Sequence, residues 1–289
     1  DGTMFLDSKA LLVPSDRIVM EVGFDKEVPS SDKLYFRGSM LYLDKKDHWE
    51  PLPSYLKRES LSYYPTQGER VDYKVTLYPT QKRWIYLLDM PARRVKNADL
   101  DRDLISTVEK PIKAPMHYLA SSSLSPKVHD SLDQDTLYAS THFDRDRNPK
   151  TYKEAQKIKK RFNTPDKRAS ALIKFFQSQS LTYSLKPKAL DINNTADSFL
   201  FDKRLGYCVH FASSFVIMAR MVGIPSRIVT GYKADKANSL NNYLPVKERD
   251  AHAWAELYIN EHWVRFESTS TASAIDAEAE AIFTGKNEL

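Results

Sequence analysis

Period-two alternation dominates the first half of the chain. Ile18, Met20, Val22 and Phe24 alternate with Val19, Glu21, Gly23 and Asp25, and Val71, Tyr73, Val75 and Leu77 alternate with Asp72, Lys74, Thr76 and Tyr78. Successive side chains of a strand point to opposite faces, so this pattern predicts half-buried antiparallel strands. Residues 34–43 and 83–88 predict further strands. Pro51, Pro53, Pro65, Pro79 and Pro91 punctuate the series, as turns require. Many short strands broken in this way predict a β-rich, sandwich-like N-terminal domain over residues 1–147.

The period then changes. Ala155, Ile158 and Phe162 are spaced for one helix face, and Ala169, Leu172, Ile173 and Phe176 repeat it at i, i+3, i+4, i+7. Thr164-Pro165-Asp166 reads as a helix start: a capping hydroxyl, a proline at the first helical position, then an acid. The switch places a domain boundary near 145–150 and a second domain over residues 148–289. Within it, Phe211, Phe215, Ala219 and Val222 trace the buried stripe of a helix that starts at Cys208, and Gly223-Ile224-Pro225 ends that helix. Residues 227–232 read as a strand, as do 182–185 before Pro187. The alanine-rich segment after Thr271 is expected to be a helical tail.

Composition narrows the class. Hydrophobic residues make up 42% and charged residues 28% of 289, as in a globular chain. No window reaches the ~18 consecutive apolar residues of a membrane span. The start at Asp1 has neither a basic leader nor a long apolar core, and is expected to be that of a piece cut from a longer protein. A net charge of +5 is too mild for a dedicated nucleic-acid binder. Basic residues do gather between Arg145 and Lys174, which predicts a solvated helix face; the sharper alternative is attraction to an anionic membrane or cell-wall polymer. Tyr35, Tyr42, Trp49, Tyr55, Tyr63, Tyr64, Trp84 and Tyr86 are expected to fill cores and edges rather than form a sugar platform.

The single cysteine excludes an intrachain disulfide and in most chains would be inert. Its place changes that reading. A thiol at a helix amino terminus lies at the positive end of the macrodipole, among N–H groups with no intrahelical acceptor. Such thiols ionise readily, and the same N–H groups can hold an oxyanion. A nucleophile needs a base, and the base needs an orienting partner. His210 is rejected as base, because residues two apart on a helix point to nearly opposite sides; the same argument rejects a Cys208–His210 zinc pair. His252 is the better base. Residues 251–259 alternate, Asn260-Glu261 makes a two-residue turn, and residues 262–267 return. That register pairs Tyr258 with Trp263 and Glu256 with Arg265, and makes Glu267 the diagonal neighbour of His252 at about 7–8 Å. A loop longer or shorter by one residue would turn Glu267 to the other face.

Several motifs together resemble a known family. Tyr207-Cys208-Val209-His210-Phe211-Ala212-Ser213, residues 223–232 (GIPSRIVTGY) and Asp250-Ala251-His252-Ala253-Trp254 are similar to the transglutaminase-like core. Ser198-Phe199-Leu200-Phe201-Asp202, Leu34-Tyr35-Phe36-Arg37-Gly38 and Pro79-Thr80-Gln81-Lys82-Arg83-Trp84 extend the resemblance to bacterial transglutaminase-like membrane proteins of the TgpA type. The resemblance implies an α+β, papain-like core, with the cysteine helix packed on an antiparallel sheet. It implies an extracytoplasmic (periplasmic) domain of an inner-membrane protein, with its tail leading toward a membrane anchor.

It also implies Cys208 as nucleophile, His252 as base and acid, and Glu267 as orienting carboxylate. Relatives carry Asp at the last position, so Glu267 departs from the pattern by one methylene. The activity expected is transfer of a glutamine or peptide amide acyl group to a primary amine through a thioester, with no metal or organic cofactor. The alternatives are hydrolysis, as a peptidase, amidase or deamidase, and a catalytically weak module that binds peptides or cell-wall polymer. The partners expected are a protein or peptide amide donor, an amine acceptor and envelope or cell-wall components, with no nucleic acid.

Overall fold

The computed structural model describes residues 2–7, 15–56 and 68–275. Its largest layer is a six-stranded antiparallel sheet in the order Lys127–His129, His262–Phe266, Ala251–Ile259, Ser226–Lys233, Tyr35–Leu41, Leu87–Leu88. A second antiparallel sheet runs Met116–Leu124, Glu69–Leu77, Ile18–Phe24, Tyr243–Lys247. Val22, Val75 and Leu244 of the second sheet share one apolar core with Phe36 and Leu88 of the first. This is the sandwich-like packing expected of the β-rich half, within an α+β chain.

The two halves are interleaved. The expected boundary at 147/148 falls just before the Pro149–Arg161 helix, yet both large sheets draw strands from each side of it. Tyr35–Leu41 pairs with Ser226–Lys233, and Tyr243–Lys247 pairs with Ile18–Phe24. Buried charge joins the halves further. Arg37 binds Asp89 at 2.7 Å and also Glu256, while Arg227 binds Glu256 at 2.8 Å and Asp103 at 2.7 Å. Each of these charges is hydrogen-bonded to an opposite one, as burial demands. Strand pairing and ion pairing between distant residues leave no local mark in a sequence, whereas the change of period does.

The hairpin has the predicted register. Tyr258 pairs with Trp263, Glu256 with Arg265 and Ile259 with His262. Asn260 and Glu261 both adopt positive φ, 51° and 59°, the conformation a two-residue type I′ turn needs.

The cysteine helix, Cys208–Met221, is buried on every side rather than along one stripe. Its flank packs on Ala253, Ala255 and Leu257 of the histidine strand, and its other faces on Ala155, Leu172 and Phe176 of the Pro149–Arg161 and Pro165–Ser178 helices. A helix apolar all round belongs in a core. Thr164 caps its helix as read, accepting from the Lys167 N–H. Gly223 ends the cysteine helix at φ 87°, and the Ile224 N–H reaches back to the Ala219 carbonyl at 2.9 Å.

The segment after Thr271 departs from expectation. Ser268–Thr271 is a 3-10 turn, and Ala274–Ile275 is a strand parallel to Thr182–Tyr183. The open edge of Thr182–Tyr183 offers backbone partners there, and such tertiary pairing overrides local helix propensity even for alanine, the strongest helix former. The rest of the expected tail, 276–289, lies outside the described residues, as do Tyr63, Tyr64 and Pro65. Of the other aromatics named above, Tyr35, Tyr42, Trp49 and Tyr86 are buried, Trp84 is half-buried and Tyr55 is exposed. No helix among the described residues is long and apolar enough to cross a membrane.

Candidate active site

A three-stranded parallel sheet sets the site's frame. Thr182–Tyr183 lies between Leu205–Gly206, just before Cys208, and Ala274–Ile275, just after the turn that follows Glu267. Tyr207 is the extended N-cap residue of the helix and Cys208 its first residue. The thiol is 6% exposed and lines a cleft of about 690 Å³ with Tyr183, His252 and Thr269. Gly206 is required here: a Cβ would lie 2.8 Å from both His210 Nδ1 and the Phe199 ring.

His210 takes no part in the cleft. Its Nδ1 accepts the Tyr207 N–H at 3.2 Å, and its Nε2 donates to the Leu6 carbonyl at 2.9 Å. Burial without a charged partner pushes its pKa down to about 4, so it is neutral. It hydrogen-bonds behind the helix start.

His252 and Glu267 meet. Nε2 lies 2.9 Å from Glu267 Oε2 and 3.1 Å from Oε1. Glu267 sits one residue past the last hairpin pair and caps the turn that follows. Its Oε1 accepts from the Thr269 N–H at 3.2 Å and the Thr269 hydroxyl at 2.6 Å. Its Oε2 accepts from the Tyr35 hydroxyl at 2.6 Å and from Lys233 Nζ at 3.3 Å. With Nε2 so held, Nδ1 is the remaining imidazole nitrogen, and His252 lines the same cleft as the Cys208 thiol. The ring of Trp254 lies within 20° of parallel to that of His252, 6.3 Å away. Gly231 pairs with His252 across the ladder, and its missing side chain lets the Phe36 carbonyl approach where a Cβ would stand 2.0 Å away.

The electrostatics follow. Burial alone would lower the pKa of His252, but the Glu267 charge and the hydrogen bonds to Cys208 and Glu267 outweigh it and raise it to about 9. Burial opposes ionisation of Glu267 too, yet His252, Lys233 and Thr269 hold its carboxyl well below the usual range. Near neutral pH the pair is therefore imidazolium and carboxylate. Burial, then the Glu267 charge, keep the Tyr35 phenol protonated and so a donor. Tyr183 is buried in the same cleft as Cys208, and burial keeps its hydroxyl protonated. Among the described residues no group of three or more His, Cys, Asp or Glu is placed to hold a metal ion.

The three residues singled out from the sequence are thus brought together around one end of the cleft. Tyr35, Tyr183, Lys233 and Thr269 were not read from it. Thr269 carries a faint signal, since a hydroxyl two residues after an acid suits a capped turn. Tyr35 carries none, lying 232 positions from its partner.

The chain is similar to known proteins over most of its length. Residues 153–268 match the transglutaminase-like superfamily core, and residues 1–128 match the TgpA N-terminal domain. A protein-glutamine gamma-glutamyltransferase of Pseudomonas aeruginosa is 27% identical over 256 residues, which is 88% of this chain and 38% of that protein. An uncharacterized protein of Bacillus subtilis, YebA, is 33% identical over 109 residues, 35% of this chain and 15% of the relative. The chain thus spans well under half the length of these curated relatives. The crystal structure of the periplasmic domain of TgpA from Pseudomonas aeruginosa superposes with a TM-score of 0.86 at 26% identity, covering 99% of this chain and 97% of that one. The chain carries a transglutaminase-like core over residues 153–268, preceded by a TgpA-type N-terminal domain over residues 1–128.

Proposed function

We propose that this chain catalyses cysteine-dependent acyl transfer from a glutamine side-chain amide, with Cys208 as nucleophile, His252 as acid and base, and Glu267 as orienting carboxylate. One observation carries the reading: a carboxylate grips Nε2 of a histidine that lines the same cleft as a cysteine at a helix start. The similarity to a protein named protein-glutamine gamma-glutamyltransferase supports the donor class.

The Cys208 thiolate attacks the amide carbonyl carbon and a C–S bond forms. Helix-start N–H groups hold the oxyanion, where water-excluded donors act most strongly. The C–N bond then breaks, and the His252 imidazolium gives its Nδ1 proton to the departing ammonia. A thioester remains. A primary amine attacks it, His252 takes the amine proton, and the Cys208 thiolate leaves with an isopeptide bond formed. If water replaces the amine, the same steps deamidate the glutamine. The resemblance to a periplasmic domain of TgpA supports action in the periplasm on envelope proteins.

The test is incubation of the domain with casein and a fluorescent primary amine, with ammonia and amine incorporation measured in parallel and Cys208→Ala as control. Incorporation and ammonia in equal amounts, both lost in Cys208→Ala, support transfer. Ammonia without incorporation replaces transfer by deamidation. Neither product, from a range of glutamine donors, removes the enzymatic reading in favour of binding.

A further inference from the structure

We propose that Tyr35 is a positioning residue of the reaction, contributed by the N-terminal half, which fixes the Glu267 carboxylate against His252 and makes that half part of the catalytic unit. The proposal rests on the acyl-transfer reading above.

Glu267 is crowded with donors. Thr269 holds Oε1 from the turn side, while Tyr35 and Lys233 hold Oε2 from the sheet side. Nε2 of His252 straddles the two oxygens. The carboxylate is thus fixed at both ends by groups other than the histidine it serves. An aspartate in this backbone position would end about 1.5 Å short. The longer side chain of Glu267 spans from the Thr269 cap to Tyr35 and His252, and so is gripped from the N-terminal half.

Tyr35 is itself locked. It is 3% exposed, its ring meets Trp254 edge-on at 5.1 Å, and Arg265 stacks over it at 4.0 Å. It begins the Tyr35–Leu41 strand, which pairs directly with the Ser226–Lys233 strand that supplies Lys233. Its hydroxyl stays protonated and can only donate to the carboxylate. A phenylalanine would keep the ring packing and lose the donor alone. Orienting hydrogen bonds of this kind are what keep a reacting group within productive geometry.

The test reads the thiol and needs no substrate. The rate of Cys208 alkylation by iodoacetamide is measured from acid to alkaline pH in the wild type, His252→Ala, Tyr35→Phe, Glu267→Gln and the Tyr35→Phe/Glu267→Gln pair, with melting temperatures alongside. The expected result is fast alkylation of the wild type near pH ~6.5, where a free thiol is largely protonated. Tyr35→Phe then slows it about fivefold to tenfold with little change in melting temperature, and slows it less than about twofold once Glu267 is Gln, since coupled residues are not additive. Wild-type rates in Tyr35→Phe, or the same factor with and without Glu267, overturn the positioning role and leave the acyl-transfer reading standing. A slow wild-type thiol indifferent to His252→Ala overturns both.

Discussion

Two histidines flank Cys208, one on each side of the helix start, and they are held in opposite states. Behind the helix, His210 is fully buried between the Tyr207 N–H and the Leu6 carbonyl, and its pKa falls to about 4. In the cleft, His252 is also largely buried but bonded to Glu267, and its pKa rises to about 9. Burial pushes both the same way. The difference is the partner: a neutral carbonyl satisfies a neutral imidazole, while a carboxylate that is itself gripped by Tyr35, Lys233 and Thr269 rewards the charged form. One residue type is thus a neutral structural pin in one region and a charged, carboxylate-paired imidazole in the other.

The largest expected effect removes the charged partner of the pair. His252→Ala is expected to lower amide turnover at least about a thousandfold, as loss of a central triad member does. The same change is expected to slow Cys208 alkylation near neutral pH while leaving the circular dichroism spectrum intact. If His252 turned out dispensable and His210 essential, the contrast between the two would be reversed.

Glu267 comes next. Glu267→Gln keeps the shape but not the charge, and kcat is expected to fall about a hundredfold. Glu267→Asp keeps the charge on a shorter stem and is expected to cost about tenfold, because orientation suffers while the imidazolium survives. Equal activity in the two variants would mean that the carboxylate charge contributes nothing.

His210→Ala sharpens the comparison from the other side. It strands the Tyr207 N–H, at roughly 1–3 kcal/mol when such a group remains buried, and leaves the Leu6 carbonyl with only the Tyr207 hydroxyl at 3.4 Å. A denaturant midpoint shift equivalent to about 1–3 kcal/mol is expected. The pH profile of Cys208 alkylation should keep its wild-type shape. A profile moved as far as in His252→Ala would give His210 a role in the chemistry.

The pH dependence of stability is the smallest and most distinctive readout. Because the pKa of His252 is raised, its contribution is fully present below the unfolded value of about 6.5 and is lost as pH rises through about 9. Its ceiling is ~3 kcal/mol. Because the pKa of His210 is lowered, stability falls instead as pH drops from about 6.5 through about 4, where the unfolded chain binds the proton and the folded one does not. Urea titrations should therefore show opposite slopes on the two sides of that unfolded value. Glu267→Gln is expected to flatten the alkaline slope and also to remove the loss below pH ~4.5 that its own depressed carboxyl contributes, while His210→Ala flattens the slope between about 6.5 and 4 and leaves the alkaline side unchanged.

Much of this site was legible because its signals are local. Period-two alternation with Asn260-Glu261 fixed the hairpin register, and that register put Glu267 near His252. Gly223-Ile224-Pro225 marked the helix end, and counting back along the apolar stripe put Cys208 at its start. The sequence by itself therefore determined the fold class, the elements bearing the three site residues, and the rejection of His210 as base. Only the tertiary structure decided the rest. It interleaved strands of both halves in shared sheets, buried the cysteine helix on all sides, drew Ala274–Ile275 into a strand, and brought Tyr35 and Lys233 onto Glu267. The reason is physical: turns, caps and periodicity act between residues a few positions apart and so leave a pattern in the chain. Contacts across 232 positions depend on where whole sheets pack, which no local pattern records.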